Sequence, residues 1–333
     1  MKTIYRNIKR GFIAIHDYWN SSKSISNQLN LDNVANTRIY IFFDILYCTF
    51  KYGANDLNYQ MYEYYGKSHE YRNSFITWLR TYYIQNRLDT YASSELLSKT
   101  RFNKKYSDCL KRAWVDCSAV NETEIKHFIR KHHKVIAKPI NSALGRGIHL
   151  ISYDNLPSDL TYLKSNKGYI LEEILNNVPA LSVINPSSLN TVRIVTATDK
   201  NRQPTILSAI LRMGVGNTII DNLCTGGIAC AIDIETGCLT GFAKDVHGNK
   251  YLEHPTTGVK FENYQLPNFE DCLSLVAILC KRMPNARYVG WDIAITTNGV
   301  CVIEGNMPPS EETTEFSLKG QWLKLLKILE IRK

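Results

Sequence analysis

The spacing of apolar residues changes near residue 100, and this change rules out a uniform architecture. Before it, apolar residues recur at three- and four-residue steps, as in RNIKRGFIAIHDYW (6–19) and FITWLRTYYIQNRL (75–88), which predicts helices. The polar stretch NSSKSISNQLNLDN (20–33) reads as a connection between them. NKKYSDCLKRAWV (103–115) reads as a helix turning into a β-rich region. Short runs rich in β-branched residues follow: KVIAKPI (134–140), IHLIS (148–152), YILEEIL (169–175), TVRIVTATD (191–199), TILSAILRM (205–213), IACAIDI (228–234), YVGWDIAIT (288–296) and VCVIEG (300–305). Turn signals such as ETGC and TTNG separate several of them. Two helical patterns, 269–283 and 318–333, complete the chain. The expected fold class is α+β with mainly antiparallel sheets, preceded by a helical N-terminal region.

At 333 residues the chain is long enough for about two domains with real cores. Its net charge of +9 is unevenly spread. Residues 1–137 carry 21 Lys and Arg against 12 Asp and Glu, whereas residues 138–333 carry 19 of each. That asymmetry points to an anionic partner on the N-terminal side. No zinc finger or aromatic RNA-binding pattern occurs, so nucleic acid is not expected. The apolar stretch at 39–50 is broken by Asp44 and is too short for a transmembrane helix, and the basic N-terminus lacks a signal-peptide pattern. The nine cysteines form no CxxC and read as reduced thiols in apolar surroundings, which suits a cytoplasmic protein. The opening YRNIKRGFIAI suggests peripheral contact with an anionic inner membrane surface.

Chemistry concentrates in a few segments. In VIAKPINSALGRGIHLI (135–151) a strand delivers Lys138 to a hairpin tip holding Gly145, Arg146 and Gly147, where backbone N–H groups can approach phosphate. Glu172 and Glu173 end a strand and, being adjacent, point to opposite faces. Arg193 sits early in an apolar strand, where its fork suits either a core carboxylate or a phosphate. Asp221, Asn222, Gly226 and Gly227 make a polar, backbone-permissive patch. In GWDIAITTNGVCVIEGNMPPS (290–310), Glu304 and Asn306 share a face, and pairing across the turn can bring Asp292 opposite them. Three oxygen donors without a basic neighbour in sequence suit Mg²⁺.

These segments, in this order, resemble the ATP-grasp enzymes, and most closely the sugar-transfer-associated ATP-grasp family, which has runs similar to SSLNTVRIVT, DNLCTGGIA, IDIETG, HPTTG and GWDIAI…VIEGN. The resemblance covers about residues 98–310. Behind the helical region read at 1–97 from its periodicity, it implies a small lobe at 98–170 with the glycine hairpin, and a large lobe at 171–333 with the metal-binding hairpin and a C-terminal helix. It implies ATP between the lobes, with Lys138 and Lys105 (Lys104 as the alternative) on the phosphates and the Gly145-Arg146-Gly147 hairpin closing over them. Backbone around Glu172, Glu173 and Ile174 would take the adenine, with a Glu near the ribose. Arg193 would meet the γ-phosphate or an acyl-phosphate, and Asp292, Glu304 and Asn306 would bind two Mg²⁺. Asn222 and the TGG turn are similar to an acceptor-side loop, although Thr225 stands where a basic residue is common. The implied activity is an ATP- and Mg²⁺-dependent carboxylate–amine ligase. It would act on a small-molecule or lipid-linked sugar acid or glycan precursor with an amine or amino-acid acceptor, in surface polysaccharide synthesis. A kinase-like phosphotransferase and a non-catalytic nucleotide-binding scaffold are the alternatives.

Overall fold

A computed structural model of the chain describes residues 2–29, 34–142, 147–165 and 168–332. The N-terminal part is helical: α1 (Lys2–Gln28), α2 (Val34–Tyr52), α3 (Asp56–Met61), α4 (His69–Asn73), α5 (Trp78–Gln85), α6 (Thr90–Leu97) and α7 (Lys99–Lys105). The stretch expected to be a connection at 20–33 is helical as far as Gln28, because one face of it is buried. Ser22 and Ser26 are fully enclosed, and Ile25 enters a core with Ile41 and Ile45 of α2. Small polar side chains permit that close approach, and packing overrides their weak helix propensity.

A four-stranded antiparallel sheet follows, built from β1 (Trp114–Asp116), β2 (Lys134–Pro139), β3 (His149–Ser152) and β4 (Tyr169–Glu173) in the order β1-β4-β2-β3. Helices α8 (Glu122–His132) and α9 (Leu156–Ser165) accompany it. Asn121 and Glu124 start α8 with a reciprocal capping box, each side chain accepting from the other's backbone N–H. The expected division at 170/171 falls inside β4. Its residues Ile170, Leu171 and Glu172 pair with β1 on one side and β2 on the other, so the strand cannot be shared between lobes.

The remainder forms a larger antiparallel sheet. Its elements are α10 (Pro179–Ser182), β5 (Thr191–Thr198), β6 (Pro204–Met213), β7 (Ile228–Ile232), β8 (Cys238–Lys244), β9 (Lys250–Tyr251), β10 (Glu262–Gln265), α11 (Phe269–Arg282), β11 (Tyr288–Thr296), β12 (Gly299–Asn306), α12 (Glu311–Thr314) and α13 (Trp322–Leu329). The strand order is β10-β8-β7-β6-β5-β11-β12, with β9 on β8. Strands β5 and β11 are central and buried along their whole length, which explains their near-continuous apolar sequences. One face packs on α11 through Cys272, Val276 and Leu279. The N-terminal helices take part of the opposite face, where Tyr59, Tyr62 and Phe75 share a core with Ile210, Ala229 and Ala231. All nine cysteines are unbridged and six are buried, but Cys224 is exposed, contrary to the apolar setting expected for it.

Glu315 ties the helical part to the large sheet. Its Oε1 accepts from the backbone N–H groups of Ile76 and Gln321, at 2.8 Å each. Burial pushes its pKa up to about 7, because the charged form has lost water. A carboxyl raised in the folded state stabilises fully below its unfolded pKa, and that stability is lost as pH rises toward 7. Glu315→Gln keeps an amide-oxygen acceptor without the charge. Chemical denaturation from pH 4.5 to 8 is therefore expected to show stability falling more steeply in the native chain than in the variant. The difference reaches up to about 3 kcal/mol at pH 8.

Candidate functional site

The site lies where β2 and β4 of the small sheet approach β12 of the large one. Four side chains stand on one face of the large sheet because of strand register. Arg193 on β5 pairs with Asp292 on β11, and Asp292 pairs with Glu304 on β12. Arg212 on β6 lies two residues from Ile210, the partner of Arg193, and so shares the face. Counting back from the Thr296–Gly299 turn would set Asp292 against Ile303. A bulge between Asp292 and Ile293 in this ladder shifts the register by one and puts Glu304 there instead. Asn306, paired with Gly290, donates from Nδ2 to Glu304 Oε1 at 3.1 Å. Gly290 is required by space: a Cβ there would stand 3.1 Å from Arg193 Cδ and 3.0 Å from Pro309 Cβ.

The structure thus brings Asp292, Glu304 and Asn306 together, but Asp292 has cationic partners the sequence did not reveal. Arg193 donates to it through Nε and, at 2.9 Å, through Nη2, while Arg212 Nη2 lies 3.0 Å from its Oδ2. These come from neighbouring strands, 99 and 80 residues away in sequence, which invalidates the expectation of an uncompensated acid. Burial alone would raise the Asp292 pKa, but the two guanidiniums outweigh it and hold the carboxyl below its ordinary value. Arg212 also contacts Thr191 Oγ1 at 2.7 Å and Asp221 at 3.4 Å. Glu304 has no ion-pair partner among the described residues and is half-buried. A hard-oxygen set with one unpaired carboxylate fits Mg²⁺ completed by phosphate oxygens.

Opposite stands a second charge cluster. Glu172 is buried and receives Lys138 Nζ at 2.6 Å, Arg112 Nη2 at 2.9 Å and Asn103 Nδ2 at 2.9 Å. Burial would raise its pKa, yet Arg112 and Lys138 hold it far below the usual carboxylate range. Its carboxylate is therefore committed within the protein, contrary to a free role at a ribose. Glu173 points to the other face, as alternation requires, and accepts from Ala113 N at 3.0 Å. Neither Glu173 nor Ile174 lines the cleft.

The lysine expected from NKKY is not at the site. Lys104 and Lys105 are both exposed on α7, and neither lines the cleft. Lys99, at the start of the same helix, does. It donates through Nζ to the Ser142 carbonyl, and its backbone N–H meets the Ile140 carbonyl at 3.1 Å. Burial lowers its pKa, and Glu304 opposes that shift. A helix of seven residues presents basic side chains all round, so only the docking of α7 on the β2 loop selects Lys99. Arg112 was missed for a similar reason, since its partners lie 60 and 190 residues away.

Two connected cavities line the cleft. One of about 140 Å³ has apolar walls from Ile136 and Ile148 on the small lobe and Leu189 and Ile303 on the large, with Lys99, Lys138 and Glu304 at its polar end. Another of about 260 Å³ continues past Lys99, Glu304 and Asn306. Gly147 has φ +74°, and a Cβ there would stand 2.9 Å from Pro139 Cγ, so the strand start after the hairpin needs glycine. Gly145 and Arg146 lie outside the described residues. Asn222 lines the cleft and caps a short turn, accepting from Cys224 N at 3.0 Å. Other motif residues are structural. His254 is buried against the Gly214 carbonyl at 2.8 Å. Asn185, Ser188 and Asn190 form a buried polar network before β5.

The family model for sugar-transfer associated ATP-grasp proteins matches residues 115–324, and the chain belongs to that family. Among curated proteins none matches the chain. Similar solved structures include the ATP-grasp ligase PsnB with its minimal precursor (13% identity, 68% of this chain and 56% of that one, TM-score 0.41). N5-carboxyaminoimidazole ribonucleotide synthetase in an ADP complex is another (10%, 71% and 52%, 0.45). A third is D-alanine–D-alanine ligase from Bacillus anthracis (12%, 75% and 73%, 0.44). The chain spans little more than half the length of PsnB and of the synthetase.

Removing the charge of Glu172 would strand two buried cations. Glu172→Gln is expected to cost about 3 kcal/mol at pH 7 by chemical denaturation. A carboxyl lowered in the folded state contributes stability above its unfolded pKa and loses it as pH falls, so the gap to the native chain should narrow below about pH 4.

Proposed function

We propose that this protein is an ATP- and Mg²⁺-dependent ligase that joins a carboxylate to an amine through an acyl-phosphate. The observation that carries the reading is the opposition of Lys99 and Lys138 to Asp292, Glu304, Asn306 and Arg193 across one cleft. The base of ATP would enter the slot between Ile136 and Ile303, because that is where the walls are apolar and face each other. Lys99 and Lys138 would hold phosphate oxygens as point charges. Asp292, Glu304 and Asn306 would hold the metal, two ions being the proposed number, and bound Mg²⁺ supplies neutralisation of the triphosphate.

A carboxylate oxygen of the first substrate would attack the γ-phosphorus, ADP would leave, and Arg193 would meet the transferred phosphoryl group. Its bond to Asp292 keeps the guanidinium fixed at the cleft. Amine attack on the acyl carbon would then release phosphate. A sugar acid or glycan precursor of surface polysaccharide is the proposed carboxylate class. It rests on the family description alone. Trapping with hydroxylamine tests the chemistry: an ATP-dependent hydroxamate from a sugar-acid panel is expected, and a stable phosphate ester instead would mean a phosphotransferase.

Site assignment is tested by calorimetry with Mg²⁺ and a non-hydrolysable ATP analogue. Lys99→Ala and Lys138→Ala should each weaken binding at least tenfold, and Glu304→Gln should remove its Mg²⁺ dependence. Lys105→Ala should bind like the native chain.

No helix among the described residues is long and apolar enough to cross a membrane. The proposed peripheral contact with an anionic bilayer is supported by Phe43, Tyr47 and Phe50, spaced along one side of α2 and 62%, 48% and 87% exposed, with Lys51 beside them. Flotation with anionic liposomes should fall on raising salt and in a Phe50→Ser, Lys51→Glu variant. Binding indifferent to both would reject the contact.

A further inference from the structure

Most buried carboxylates in this protein have firm partners. Asp44 has Arg72, Glu172 has Arg112 and Lys138, Asp292 has Arg193 and Arg212, and Glu315 has two backbone N–H groups. Glu311 is the exception, and the half-buried Glu312 stands beside it. Glu311 is 7% exposed, and its side-chain hydrogen bond to Asn58 Nδ2 is 3.5 Å long. Neither it nor Glu312 has an ion pair among the described residues. The buried hydroxyl of Thr81 stands beside Glu311 without completing a hydrogen bond of good geometry. Leaving a buried acid in this state, with a second acid next to it, is costly unless a ligand relieves it.

Both acids line one cavity of about 400 Å³. It shares Glu304 and Asn306 with the nucleotide cleft and reaches Arg193, so it opens onto the point where an acyl group would be activated. Its other wall comes from the helical region, through Leu57, Met61, Thr81 and Gln85. The cavity therefore has its charges paired toward the phosphate end, where Arg193 and Arg212 hold Asp292 and Asp221, and is anionic at Glu311 and Glu312. Burial raises both acids, Glu312 to about 8 with Glu311 adding to it, which poises the pair to exchange a proton near neutral pH.

We propose that this cavity is the acceptor site and that Glu311 and Glu312 select a primary ammonium group carried on a partly apolar body. The assignment rests on the ligase reading above. The acceptor enters as R–NH₃⁺ and gives one proton to the carboxylate pair. The freed lone pair forms the C–N bond while the acyl C–O bond to phosphate breaks. The carboxylate pair passes its proton to the leaving phosphate, which departs as hydrogen phosphate, and the second nitrogen proton departs to solvent, so that acyl-phosphate and ammonium yield amide, hydrogen phosphate and one proton. The helical region supplies the wall that shapes the acceptor.

Ligand-observed NMR on the full chain with Mg²⁺ and a non-hydrolysable ATP analogue tests this. Probes are primary amines, each with its hydroxyl counterpart: ethanolamine and ethylene glycol, 6-aminohexanol and 1,6-hexanediol, glucosamine and glucose. At least one amine should bind ten times more tightly than its counterpart. Glu311→Gln with Glu312→Gln should erase that preference while leaving nucleotide affinity unchanged, which also shows that the variant is folded. Equal binding of amine and hydroxyl in every pair, or a preference that survives the double substitution, overturns the proposal. Absence of nucleotide binding in the native chain would instead overturn the ligase reading.

Discussion

The carboxylate of Glu172 is the point at which the two sheets are joined. Arg112 donates to it and, at 2.8 Å, to the Val302 carbonyl of β12. One guanidinium thus spans from the small sheet to the strand that carries Glu304. Lys138 completes the neutralisation from β2. A buried ion triad of this kind contributes little net stability over an apolar packing of equal volume, but it is unforgiving of a missing member. Its value here is geometric. It sets the height of the cleft, fixes the Lys138 ammonium at the cleft wall, and leaves the apolar slot between Ile136 and Ile303 beside it.

Across the cleft, charge is distributed along a sheet face rather than gathered at a point. From Asp221 through Arg212, Asp292 and Arg193 the signs alternate, and Glu304 stands at the end without an ion-pair partner among the described residues. Such a row is nearly neutral overall, so it can be buried before any substrate arrives. It can also be repartitioned, because each guanidinium has five N–H donors, more than its carboxylate partners use. With a metal held at Glu304, Asp292 would exchange one positive partner for another without becoming exposed. The burial of this row and the chemistry proposed for it therefore have the same origin.

Much of this was legible in sequence, and what was not has a common cause. The β-branched runs marked β2, β5, β6, β11 and β12, most plainly β5 and β11, because central strands buried on both faces must be apolar. The spacing of Glu304 and Asn306 marked their shared face. Their meeting with Asp292 required a bulge that no residue type announces. The polar text of 20–28 concealed a helix with one buried face, since serine is small enough to pack. Lys99 rather than Lys105, and Arg112 at all, depended on partners brought near only by the fold. Local pattern identified the donors; tertiary contact determined which charge each of them holds.

The helical region bears no recognisable motif, yet it has two physical consequences for the site. It covers apolar surface on β6 and β7, which an exposed sheet face could not leave bare. It also stands against α12, where Glu315 is held by the Ile76 amide on one side and the Gln321 amide on the other. That clamp positions Glu311 and Glu312, one turn earlier, at a wall the helices themselves complete. Substitutions at Leu57 or Met61 can therefore reshape the cavity without touching any group that meets phosphate. An architecture in which phosphate chemistry and acceptor choice are carried by separate parts of the chain can keep the first constant while the second diverges. On this view the absence of a motif before residue 98 is what a specificity-bearing segment should show.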